Sequence, residues 1–127
     1  MTATDGELLV RIVDGIARVT LNRPLARNAL TFGMYEELAK LCALAGTADD
    51  ADHIKAIVIA GAGDKAFAAG TDIGQFTAFD STEDGLRYEA KVEAVISQIE
   101  SCQVPVIAAL HGAVTGGGLV IAAAAHV

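Results

Sequence analysis

Residues Val104 to Gly118 constrain the fold more than any other stretch. The apolar run Val104-Pro105-Val106-Ile107-Ala108-Ala109-Leu110 reads as a strand. It leads into His111-Gly112-Ala113-Val114-Thr115-Gly116-Gly117-Gly118, and an alanine-rich apolar segment follows, with no turn residue before Val127. A strand that passes through glycines into a helix leaves free backbone N–H groups at the helix start, and such donors hold negative charge. A second glycine-bearing stretch, Phe67-Ala68-Ala69-Gly70-Thr71-Asp72, reads as a loop. Two N–H groups, one from each loop, aimed at a single oxygen would form an oxyanion hole, often the largest single catalytic contribution in acyl and enolate chemistry.

The chain of 127 residues is long enough for one domain with a real core. A hydrophobic content of 53% against 20% charged residues excludes a disordered class. The net charge of −7 argues against a nucleic-acid surface, which needs clustered cations. The N-terminus, Met1 to Glu7, is polar and acidic and lacks the pattern of a signal peptide. Cys42 and Cys102 then suggest a reducing, cytoplasmic compartment, with both thiols acting as small buried hydrophobes. The stretch Val104–Val127 is long enough to raise a membrane question, but it is broken by glycines and rich in alanine. We read it as buried strand and helix. Its end, Ala122 to Val127, has no cap and no polar tail, so we expect a chain that stops inside a core.

Residues 8–13 read as a strand and period-two alternation marks another at 16–22, joined by an Asp14-Gly15 hairpin turn. Thr31 is placed to cap a helix reaching about Ala45, with Tyr35, Leu38, Leu41, Cys42 and Ala45 on one stripe. Asp49-Asp50-Ala51-Asp52 reads as a solvated turn. Residues 54–60 read as a fully buried strand, and 82–101 as a helix whose pattern includes Leu86, Ala90, Val95 and Ile99. The expected order is β-β-α-β-loop-α-β-α, a layered α/β fold.

Three segments, in order and spacing, resemble the crotonase superfamily, the enoyl-CoA hydratase/isomerase group. They are Leu21-Asn22-Arg23-Pro24-Leu25-Ala26-Arg27-Asn28-Ala29-Leu30, then Phe67 to Ile73, then Pro105 to Val127. The resemblance covers essentially the whole chain but about half of the family's length. It implies that residues 1–127 are the N-terminal part of a crotonase-like core domain, a spiral of ββα units. It also implies an acyl-CoA substrate with coenzyme A as its carrier, no covalent cofactor or metal, and assembly as a trimer or hexamer.

The resemblance assigns the oxyanion-hole donors to the backbone N–H groups of Thr71 and Gly117. It lines the CoA path with Ala26, Arg27, Ala69 and Gly70. Asp72 reads as a helix cap, and His111 as structural. Val120 departs from the pattern, because family hydratases carry a glutamate there that activates water. His126 stands where many members carry aspartate. An enolate-forming enzyme with altered acid/base groups and a non-catalytic acyl-CoA-binding relative are both consistent with this. A third reading comes from Gly112 to Gly118, which also fits the G-x-x-x-G-x-G spacing of short-chain dehydrogenases. Its position late in the chain speaks against that class.

Overall fold

The structure is a computed structural model that describes residues 7–71 and 82–127. Asp72 and Ile73 lie outside the described residues, so the capping role read for Asp72 does too. The elements run β1 (Leu8–Val13), β2 (Ile16–Leu21), α1 (Phe32–Leu44), β3 (Ala56–Gly61), β4 (Ala66–Ala69), α2 (Thr82–Glu100), β5 (Val106–Ala109), β6 (Ala113–Thr115) and α3 (Gly117–Ala124). Grouped in chain order they make three successive ββα turns, which is the spiral the resemblance implies.

The hairpin forms as expected, with Asp14 and Gly15 both at positive φ (53° and 81°), the conformation a two-residue turn needs. β1 pairs antiparallel with β2, β2 parallel with β3, and β3 parallel with β5, giving one sheet in the order β1-β2-β3-β5. Thr31 caps α1: Met34 N–H donates to Thr31 Oγ1 at 3.2 Å, and Thr31 N–H donates back to the Met34 sulfur. All five stripe residues of α1 are buried.

Four expectations are corrected. The Phe67 to Ala69 stretch is not loop but strand β4, which pairs parallel with β6 in a second, two-stranded sheet. Both strands are too short for alternation to register, and their alanines carry little β signal. β3 is not buried on both faces: Ile57 and Ile59 are fully buried, whereas Ala56 and Val58 are half-buried. Asp50 is not solvated. It is buried, and its carboxylate accepts from the N–H groups of Gly46 (2.9 Å), Ile54 (2.8 Å) and Asp52 (3.1 Å). On α2, Val95 and Ile99 reach the core, but Leu86 and Ala90 are exposed.

Two further sequence expectations meet the structure at the end of the chain. Helix α3 stops at Ala124, and the backbone turns back onto β5, where His126 N–H donates to Val106 and Ala108 N–H donates to Val127. His126 joins this link through its ring, since Nδ1 accepts from Val106 N–H at 3.1 Å. Among the described residues no helix is long and apolar enough to cross a membrane. The core joins β1, β2, α1 and β3 to Phe67 of β4, Val95 and Ile99 of α2, and Ile121 of α3.

Candidate active site

The early turn, the Gly70 loop and the triple glycine are remote in sequence and adjacent in space. A short 3₁₀ turn, Pro24–Ala26, ends at Arg27 in the left-handed conformation (φ 51°), and Asn28 follows with φ 58°. Asn28 is fully buried. Its amide donates to the carbonyls of Ala62 (3.0 Å) and Ala66 (2.9 Å), and its Oδ1 accepts from Arg23 N–H (2.9 Å). The left-handed backbone tolerates asparagine better than most side chains. Beyond it, Ala69 N–H donates to Arg27 O at 3.0 Å and Leu30 N–H donates to Gly70 O at 2.8 Å. These two bonds tie the early turn, through Arg27 and Leu30, to Ala69 and Gly70. Arg27, Lys65 and Asp64 are among the residues lining a cleft of about 160 Å³ beside this turn.

The triple glycine exists because of close packing. Gly116 has φ 53°, and a β-carbon on it would meet Gly70 Cα at 2.9 Å. One on Gly118 would collide with the backbone carbonyl of Ala68, and one on Gly117 would collide with the Tyr35 hydroxyl and lie 2.9 Å from Thr71 Oγ1. Gly117 is buried and begins α3, so its N–H lies in the helix's unpaired first turn. Thr71 bridges Leu30 through its neighbours' groups, which leaves its own N–H outside that ladder. Among the described residues neither N–H has a protein acceptor. The structure thus brings Thr71 and Gly117 close together.

Hydroxyl groups surround this point. Tyr35 OH lies 2.8 Å from Thr71 Oγ1, and Thr71 Oγ1 lies 3.1 Å from Tyr88 OH. Burial pushes the Tyr35 hydroxyl above the ordinary phenol range; its bond to Thr71 pulls the other way, and Tyr88 adds to the rise. It is therefore a neutral phenol at physiological pH. Sequence reasoning placed Tyr35 in an apolar stripe and did not single out Tyr88, because periodicity reports a face and not a phenol's reach. Asn28 lay within a recognised segment but carried no assigned role. Val120 is half-buried on α3, and its N–H closes onto Gly116 O at 3.1 Å. His111 Nε2 donates to Gly63 O at 2.9 Å. The glycines after β6 start a short helix beside a two-stranded sheet, unlike the central parallel sheet of a nucleotide-binding fold.

Residues 11–127 match the family model described as enoyl-CoA hydratase/isomerase. The short-chain-enoyl-CoA hydratase of Clostridium acetobutylicum is 35% identical over 107 residues, which is 84% of this chain and 40% of that protein. The crystal structure of an enoyl-CoA hydratase/carnithine racemase from Magnetospirillum magneticum superposes with a TM-score of 0.85 at 31% identity, covering 98% of this chain and 46% of that one. The enoyl-CoA hydratase of Mycobacterium smegmatis gives a TM-score of 0.84 at 33% identity, covering 97% and 47%. The chain thus spans less than half the length of the relatives it matches. A family match over nearly all of the sequence, together with this fold, places the chain in the enoyl-CoA hydratase/isomerase family, within the crotonase superfamily.

Proposed function

We propose that the protein binds an acyl-CoA thioester and stabilises its enolate, in the chemistry of fatty acid oxidation. The observation that carries this reading is the meeting of Thr71 and Gly117, whose N–H groups have no acceptor among the described residues. A thioester oxygen that accepts both would gain negative charge as the α-proton leaves, and the two fixed donors would hold it. Loss of one such donor elsewhere costs about 3–4 kcal/mol of transition-state stabilisation. Gly117 has no side chain to block the planar thioester. Ala26, Arg27, Ala69 and Gly70, brought near one another by the bonds between the early turn and the Gly70 segment, would carry the CoA moiety, with Arg27 available to a phosphate. The family relationship supports coenzyme A entering as part of the substrate, with no covalent cofactor. It also supports a soluble trimeric or hexameric assembly, for which exposed Leu110 and Leu119 offer apolar contact surface.

Val120 favours a second reading in which the protein binds acyl-CoA without hydrating it, since valine moves no proton. Titration calorimetry with a short acyl-CoA tests binding, expected at one site per chain. Tight NAD(H) binding with no CoA binding would overturn the proposal. Crotonyl-CoA hydration separates the two readings: a positioned acid/base group contributes about 10²–10⁴-fold, so the wild type should be slow. Val120→Glu should raise its rate if the remaining machinery is catalytic.

A further inference from the structure

We propose that the hydroxyl chain Tyr35–Thr71–Tyr88 positions the donor at Thr71, with Tyr35 and Tyr88 acting as positioning residues through the Thr71 side chain. This rests on the enolate-stabilising role proposed above. The chain links three separate elements. Tyr35 stands on α1 with its side chain fully buried, and Tyr88 stands on α2 with its ring 5.3 Å from that of Phe32. Thr71 lies between them at the end of the segment that follows β4. A salt bridge from Lys91 to Glu36 ties the same two helices together.

The three hydroxyls form one connected cluster. Tyr35 OH bonds Thr71 Oγ1 and also Tyr88, and Thr71 Oγ1 in turn meets Tyr88 OH. A buried phenol proton without an acceptor is costly, and the cluster offers each hydroxyl a partner. Contact with Tyr35 fixes one direction at Oγ1, and contact with Tyr88 fixes a second. Two rigid phenols then hold a β-branched side chain whose χ1 is already restricted. The backbone of Thr71 has little freedom left, and its N–H keeps one heading. The Tyr35 hydroxyl also fills the space that a side chain on Gly117 would need. The same oxygen therefore braces Thr71 and packs against Gly117, so the two donors are held by one support. A misplacement of about 1 Å can cost as much as a hundredfold in rate, which gives such a brace a purpose beyond stability.

The test uses the full-length protein and two ligands. Acetoacetyl-CoA absorbs in the ultraviolet as its enolate and so reports the oxyanion donors; butyryl-CoA reports simple binding. Thr71→Val keeps the N–H and the shape but removes the hydroxyl. It should lower the enolate signal at saturation about tenfold, and Tyr88→Phe should leave the butyryl-CoA Kd within about twofold. Thr71→Ser should restore the signal. Tyr35→Phe and Tyr88→Phe should each show part of the loss. If Thr71→Val fails to fold, Tyr88→Phe carries the test, since its ring can remain against Phe32. A wild type that enolises acetoacetyl-CoA while the valine and phenylalanine variants match it would overturn this inference and leave the proposed function standing. Equal loss of both ligands in the variants would also overturn it, since that is the mark of a merely structural role. A wild type that binds neither ligand would overturn the proposed function itself, and this inference with it.

Discussion

The side-chain amide of Asn28 donates to the carbonyl oxygen of Ala66 at 2.9 Å, across 38 residues of chain. This bond holds the early turn against the start of β4, and so sets where Thr71 emerges.

Replacing Asn28 should therefore cost stability and ligand binding together. Asn28→Ala would orphan two carbonyls and one N–H and would place alanine at φ 58°. The loss should be about 2–4 kcal/mol, from stranded buried groups plus left-handed strain. Asn28→Gly should lose less, because it removes the strain but not the stranded groups. Urea denaturation of the two variants checks the order, and equal losses would show that backbone strain is negligible there.

Gly117→Ala and Gly118→Ala should separate function from stability. Helix propensity alone favours alanine by about 1 kcal/mol at each position. At Gly118 the new methyl meets the Ala68 backbone, which cannot yield, so α3 is pushed off β4 and the melting temperature falls sharply. At Gly117 it meets the Tyr35 hydroxyl, the tip of a side chain. That variant should melt closer to wild type yet lose acetoacetyl-CoA enolisation. Thermal melting and the ultraviolet enolate signal read the two effects, and a Gly118→Ala protein as stable as wild type would contradict the close packing.

Asp50 makes stability depend on pH. The N–H of Gly46 is the main cause holding its carboxyl below the ordinary carboxylate range; burial opposes this, and Ile54, Asp52 and His53 assist it. A carboxylate with a depressed folded pKa contributes fully above the unfolded value, about 3.9, and its contribution is lost as pH falls through the folded value. Asp50→Asn should cost about 1–3 kcal/mol at neutral pH. The gap between variant and wild type should shrink in acid. Urea melts at about pH 7 and about pH 3 test this, and a gap that does not change with pH would remove the ionised carboxylate from the account.

Cys42 should be chemically silent in the folded protein. Burial, with Cys102 beside it, pushes its thiol up to about 12, and a thiol without thiolate is a poor nucleophile. Cys102 is only half-buried. Ellman's reagent at mildly alkaline pH should label Cys102 in the native state and both residues in urea. Rapid native labelling of Cys42 would mean that the α1 core opens readily.

Periodicity and glycine placement by themselves settled the hairpin at Asp14-Gly15, the Thr31 cap, the buried stripe of α1 and the glycines at the start of α3. Each is a local matter of backbone conformation or of one face meeting a core, and three short segments at fixed spacing were enough to suggest the family. The tertiary structure alone decided that Phe67 to Ala69 is a strand, because its partner β6 lies more than forty residues away and the strands are too short to carry a pattern. It also buried Asp50 among three N–H donors, where composition suggested a solvated turn. The hydroxyls of Tyr35 and Thr71 meet across 36 residues. Hydrophobic patterning puts a tyrosine on the inner face of a helix, but only the packing of α1, α2 and β4 determines what its hydroxyl touches.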